Sequence, residues 1–220
     1  MKTVSLFASL VCIPAFLSSA APAERTTGIL GTDAVGAGYT FYYDNYHYYG
    51  DTDYKTQNFE LSLNKNVWDT QKFGVDANVR LYNSTNISDR SFFTVEQNYA
   101  EAGATFFWKG MVSPFVSTSV YYVHSDVDWK EAGVSDQCDD TWLLEGKAGA
   151  QVALLEGLSA RAYLALRHSC IADSGKNNLR YVADALYWIT PRWGVSVGMT
   201  YSCFEHIDRY GFTGGAFYRF

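Results

Sequence analysis

Residues 34–43, Ala-Val-Gly-Ala-Gly-Tyr-Thr-Phe-Tyr-Tyr, separate into two unlike faces when taken alternately. Val35, Ala37, Tyr39, Phe41 and Tyr43 fall on one side; Gly36, Gly38, Thr40 and Tyr42 fall on the other. Side chains alternate across an extended chain, so the segment reads as a β-strand with one apolar face and one small or polar face. Nine further segments repeat the pattern. Phe73, Val75, Ala77, Val79 and Leu81 alternate with Gly74, Asp76, Asn78 and Arg80; Leu158, Ala160, Ala162, Leu164 and Leu166 alternate with Ser159, Arg161 and Tyr163.

The connections between these segments alternate as well. Asn64 to Lys72, Phe107 to Ser113, Ala153 to Gly157 and Ile189 to Arg192 are short; Asp44 to Thr56, Asn83 to Gln97, His124 to Thr141, His168 to Asn178 and Ser202 to Arg209 are longer and polar. Short turns on one side and long loops on the other predict an all-β fold, a transmembrane up-and-down antiparallel β-barrel. Ten strands fit best, with eight or twelve as the neighbouring even counts. Aromatic residues test the membrane reading, because Trp and Tyr favour the two headgroup levels of a bilayer. Trp68, Phe107, Trp108, Trp188 and Trp193 cluster by the short turns, and Tyr39, Phe41, Tyr43, Tyr122, Trp142, Tyr181, Tyr201 and Tyr210 by the long loops. The competing arrangement is a soluble barrel with the faces inverted, which would leave Glu101 and Arg161 outside. A mean hydropathy of −0.14 does not separate the two, since a membrane barrel averages an apolar face with a polar one.

The last segment, Thr213-Gly-Gly-Ala-Phe-Tyr-Arg-Phe220, follows the pattern polar-x-Gly-x-x-aromatic-x-aromatic through Thr213, Gly215, Tyr218 and Phe220. In this it resembles the bacterial outer-membrane β-barrel proteins, small porin or surface barrels among them. The resemblance implies that these four residues are an assembly signal read by the barrel-assembly machinery. It also implies residence in the outer membrane in contact with its lipid.

The first residues agree with export. Lys2 precedes an apolar run from Val4 to Leu17 and small residues from Ser18 to Ala23, which reads as a secretory signal over residues 1–23, with the barrel over 24–220. Removal of Lys2 leaves 16 of the 17 basic residues against 23 acidic ones. Such an acidic chain is a poor partner for nucleic acid.

Inward positions carry Glu60, Asp76, Glu101, Glu145 and Asp184 together with Arg80, Lys147, Arg161, Arg180 and Arg219. A wide selective pore leans to one sign, whereas this balanced set predicts internal pairing in a narrow, mostly filled barrel. Inward Gly36, Gly38, Gly194 and Gly198 argue instead for a small passage. The expected function is therefore a structural or surface barrel, or a narrow and weakly selective pore for small solutes. An enzyme acting on lipid or surface substrates, and loop-mediated adhesion or ligand binding, are the alternatives. His124-Ser125-Asp126 and His168-Ser169 supply residue types used by outer-membrane lipases and acyltransferases, but adjacent strand residues point apart, so no catalytic residues are assigned. No spacing indicates a cofactor or a metal site. The loop from Asp44 to Tyr54, with Tyr46, His47, Tyr48, Tyr49, Asp51 and Asp53, is a candidate contact surface.

Three cysteines follow the signal: Cys138, Cys170 and Cys203. Taking the sixth turn at Leu154 sets Cys138 and Cys170 equally far from it and on one face, which predicts a Cys138–Cys170 disulfide with Cys203 free.

Overall fold

The computed structural model describes residues 29–46, 52–86, 93–129, 137–169, 177–204 and 207–220. The proposed signal, residues 1–23, lies outside these, as do Cys170 and the middle of the first loop, residues 47–51. The strands are β1 (Ala34–Tyr46), β2 (Thr52–Asp69), β3 (Phe73–Asn86), β4 (Phe93–Trp108), β5 (Val112–Trp129), β6 (Gln137–Leu155), β7 (Leu158–Ser169), β8 (Asn177–Trp188), β9 (Trp193–Phe204) and β10 (Ile207–Arg219). Every consecutive pair is antiparallel, and β1 also pairs with β10, from Ala34 opposite Arg219 to Tyr46 opposite Ile207, which closes the barrel. Closure gives each strand two hydrogen-bonded neighbours, which is what a sheet needs where no water can satisfy an open edge.

The side chains settle which face is outside. Phe59, Leu61, Leu81, Leu144, Leu164, Val197, Met199 and Phe212 are exposed around the circumference, while Glu101, Glu145 and Asp76 are buried within. This apolar belt excludes the inverted, soluble arrangement. Trp68, Trp108, Trp193 and Phe220 border it at the short-turn end, and Trp142 and Tyr210 at the other. Two expected girdle residues belong inside instead. Phe107 is fully buried and Trp188 nearly so. Phe107 shares strand parity with Glu101, and Trp188 with Asp184, so both point into the lumen.

Strands run further than the alternation of apolar residues suggests. The segments 83–97 and 124–141, expected as loops, are largely ladder: Thr85 pairs with Glu96, and His124 with Asp140. A membrane strand needs only about 9–11 residues to cross. The remainder of the 18-residue β5 and 19-residue β6 stands clear of the bilayer on the long-loop side. At the other end, β2 continues past Asn64 through a bulge between Asn66 and Trp68, which turns Trp68 outward. The β6–β7 turn is at Glu156-Gly157, where Gly157 has φ of 77°, a conformation glycine adopts without steric cost. The hairpin register pairs Leu143 with Ser169 and Ala153 with Ser159, so its centre lies two residues beyond Leu154. The equal-spacing premise for a Cys138–Cys170 bridge is replaced by that register.

Candidate functional site

The lumen is crossed by a chain of charges. Glu101 on β4 lies between Lys147 on β6 (Nζ to Oε1, 2.8 Å) and Arg80 on β3 (Nε to Oε2, 3.5 Å), and Arg80 reaches Glu60 on β2 at 3.2 Å. Lys147 is also 3.2 Å from Glu145, whose carboxylate accepts hydrogen bonds from Tyr121 Oη at 2.7 Å, Arg167 Nε at 3.1 Å and Arg180 Nη2 at 2.9 Å. One connected network thus joins β2, β3, β4, β5, β6, β7 and β8 across the interior. Each carboxylate has at least one cation against it, as charges taken out of water require.

Two further pairs stand apart from it. Arg161 on β7 grips Asp184 on β8 with two nitrogens, Nη2 to Oδ2 at 2.8 Å and Nε to Oδ2 at 3.1 Å. Nearer the long loops, Arg209 on β10 holds Asp44 on β1 with Nε and Nη2 at 2.6 and 2.7 Å. Aromatic rings fill the gaps between charges: Tyr82 stacks on Tyr99 with centroids 4.1 Å apart, and the guanidinium of Arg167 lies 4.6 Å from the ring centre of Tyr121.

At the short-turn end the lumen has a floor. Leu30, just before β1, is buried with Phe107 and Phe115, and Tyr163 packs against them. Asp76 is inward, as expected, yet its carboxylate anchors backbone and amides: Gly31 N–H donates at 2.8 Å, Asn66 Nδ2 at 2.9 Å and Asn64 Nδ2 at 3.1 Å. Asn64 Nδ2 also donates to the carbonyl of Thr32 at 2.8 Å. Arg219 sits 4.1 Å over the ring of Trp188.

The glycines that suggested a passage make room for these fillers. A Cβ on Gly36 would come within 2.6 Å of the Phe217 ring, one on Gly194 within 2.9 Å of Trp188, and one on Gly198 within 2.9 Å of Asp184. Only Gly38 of the four would meet nothing closer than 3.6 Å. The space left is small. Two neighbouring cavities of about 80 and 120 Å³ share Thr40, Tyr42, Glu60, Arg80 and Arg180 in their walls.

No protein-family model matches the chain, and no curated protein matches it in sequence. Among solved structures, the β domain of the Bordetella autotransporter Brka superposes with a TM-score of 0.52 at 11% identity, covering 86% of this chain and 100% of that one. The fold is that of an outer-membrane β-barrel. The translocator domain of autotransporter NalP from Neisseria meningitidis (TM-score 0.49, 8% identity, 99% of this chain and 96% of that chain) and neisserial surface protein A (0.48, 12%, 85% and 96%) are also similar.

Of the ten charges expected inside this outer-membrane barrel, Glu60, Arg80, Glu101, Glu145, Lys147 and Arg180 form the network, and Arg161 and Asp184 form a separate pair. Asp76 and Arg219 serve the floor. Arg167, Asp44 and Arg209 are additional lumen charges, and their strand parity with Arg161, Thr40 and Thr213 marks them as inward-facing. The residues named for assembly occupy both faces of β10: Tyr218 lies outward, 5.0 Å from Trp193, while Thr213 shares a 2.9 Å hydroxyl hydrogen bond with Thr40 inside. Ser125 faces the lumen and accepts from Gln97 Nε2 at 3.0 Å, on the opposite side of β5 from His124 and Asp126.

Proposed function

We propose that this protein is a structural or surface barrel of the outer membrane whose lumen does not conduct. The observation that carries the reading is the connected network from Glu60 through Arg80, Glu101 and Lys147 to Glu145, Arg167 and Arg180, stacked above the Leu30, Phe107 and Phe115 floor. An ion passing through would have to part buried ion pairs, and removing one partner from such a pair costs about 3–5 kcal/mol. The separation of Ser125 from His124 supports a non-enzymatic role. Export through residues 1–23, recognition of Thr213, Gly215, Tyr218 and Phe220 by the assembly machinery, and contact with surface ligands through the long-loop end complete the reading.

Planar-bilayer recording tests it. Protein that is folded, shown by different gel mobility before and after boiling, is expected to give no steady current steps. Reproducible single-channel steps whose ion selectivity shifts in Glu101→Gln or Arg161→Gln would overturn it and establish the narrow pore.

A further inference from the structure

Beyond the aromatic border, β5 and β6 carry a square of outward side chains. The ladder sets His124 opposite Asp140 and Asp126 opposite Cys138, so the motifs His-x-Asp and Cys-x-Asp face one another across two hydrogen-bonded strands. Both lie on the long-loop side of Tyr122 and Trp142, where the wall stands in solvent. His124 Nε2 is 3.4 Å from Asp126 Oδ2 and 3.8 Å from Cys138 Sγ, and the three donor atoms lie within 4.8 Å of one another.

We propose that His124, Asp126 and Cys138 bind a zinc ion. With zinc–ligand bonds of about 2.0–2.3 Å at tetrahedral angles, nitrogen–oxygen and nitrogen–sulfur separations come to roughly 3.4–3.6 Å, close to those found. The other ring nitrogen of His124 is already engaged: Nδ1 is 2.8 Å from Asp140 Oδ1, and Tyr122 Oη donates to the same oxygen at 2.8 Å. Nδ1–H donated to Asp140 leaves Nε2 as the nitrogen with the free lone pair, 3.4 Å from Asp126 Oδ2; Cys138 Sγ lies beside the ring, 3.8 Å from Nε2 and 4.0 Å from Nδ1, so a turn of the cysteine and imidazole side chains brings the sulfur to the ion. A carboxylate behind a ligating histidine is the usual means of fixing its tautomer and orientation. Imidazole with a thiolate favours zinc over calcium or magnesium, which prefer oxygen. Three protein ligands leave the fourth position to water or to a group from a surface ligand. Binding forms the zinc–sulfur bond as the Cys138 thiol releases its proton to solvent. No sequence spacing announced the site, because its halves are on different strands and only the register joins them.

Cobalt(II) serves as a spectroscopic stand-in for zinc, added to the protein purified from membranes in detergent. One equivalent is expected to bind, with a thiolate-to-cobalt charge-transfer band and the visible bands of a tetrahedral ion, and zinc should displace it. The band should vanish in Cys138→Ser, and binding should weaken at least tenfold in His124→Gln, each variant first shown to be folded by its gel shift on boiling. Asp140→Asn should keep the band while weakening binding about 10–100-fold. A missing band in the native protein, a band retained in Cys138→Ser, or unchanged affinity in His124→Gln or Asp140→Asn would overturn the proposal. So would peptide mapping that finds Cys138 in a disulfide with Cys170.

Discussion

Arg161 and Asp184 are joined by a two-nitrogen grip on neighbouring strands, and about a quarter of the arginine side chain remains accessible. Two effects oppose each other at such a pair. Desolvation penalises both charges, whereas removal of one leaves the other alone in the lumen, so the second effect governs a single substitution. Arg161→Met is expected to lower stability by about 2–3 kcal/mol, below the top of the range for buried pairs because water still reaches the guanidinium. The double variant Arg161→Met with Asp184→Leu should recover to within ~1 kcal/mol of the native protein, since neither charge then remains unpaired. Urea unfolding in lipid vesicles, followed by circular dichroism, measures both. Additive losses in the double variant would show that the pair does not act as a unit. At this scale parity made the inward charges legible, and the same parity held Phe107 and Trp188, whose aromatic type and closeness to turns pointed misleadingly to the membrane border.

Strand ends were the least legible elements, for a physical reason. Inside the bilayer one face must be apolar, which writes a period of two into the sequence; above it both faces meet water, so the period fades while the backbone ladder continues. Hence alternation alone does not mark Arg167 and Asp44 as lumen residues, and the His124–Asp140 and Asp126–Cys138 pairs fall where the sequence reads as loop. The terminal strand poses the opposite case, because its pattern is strong. Phe220 is outward and 60% exposed, and its amide donates to the Asp33 carbonyl at 3.3 Å, so its ring supports little of the folded barrel. Phe220→Glu is therefore expected to reduce membrane-inserted protein several-fold while leaving signal removal and the stability of the inserted fraction nearly unchanged. Immunoblots of membrane fractions with and without boiling measure insertion. An unchanged yield would remove the assembly-signal role.

For the molecule as a whole, the closed ladder and the filled lumen depend on each other. The glycines let rings and charges pack inside, and the packed interior supports a wall whose outer apolar face can then meet lipid. Within the floor, the described residues before β1 lie outside the ladder and are held by the packing of Leu30 and by polar contacts of Gly31, Thr32 and Asp33. Asp33, just before β1, accepts a hydrogen bond from Asn66 N–H at 2.8 Å and pairs with Lys65, and the Lys65 hydrogen bond, then that of Asn66, hold its carboxyl below the usual carboxylate range. A depressed carboxyl contributes stability that is fully present above its unfolded value of ~3.9 and is lost as the pH falls through the lower folded value. Acid is thus expected to loosen the clasp between Asp33 and β2 before it disturbs the strands. Amide exchange in a vesicle-embedded sample should show Asn66 losing protection as the pH is lowered below ~4, relative to mid-strand amides such as Val79, after correction for the intrinsic pH dependence of exchange. Asp33→Asn should remove that acid step, because its side chain does not titrate. An acid step that persists in Asp33→Asn would assign the floor's response to another group and leave the clasp without a role in holding the segment beneath the barrel.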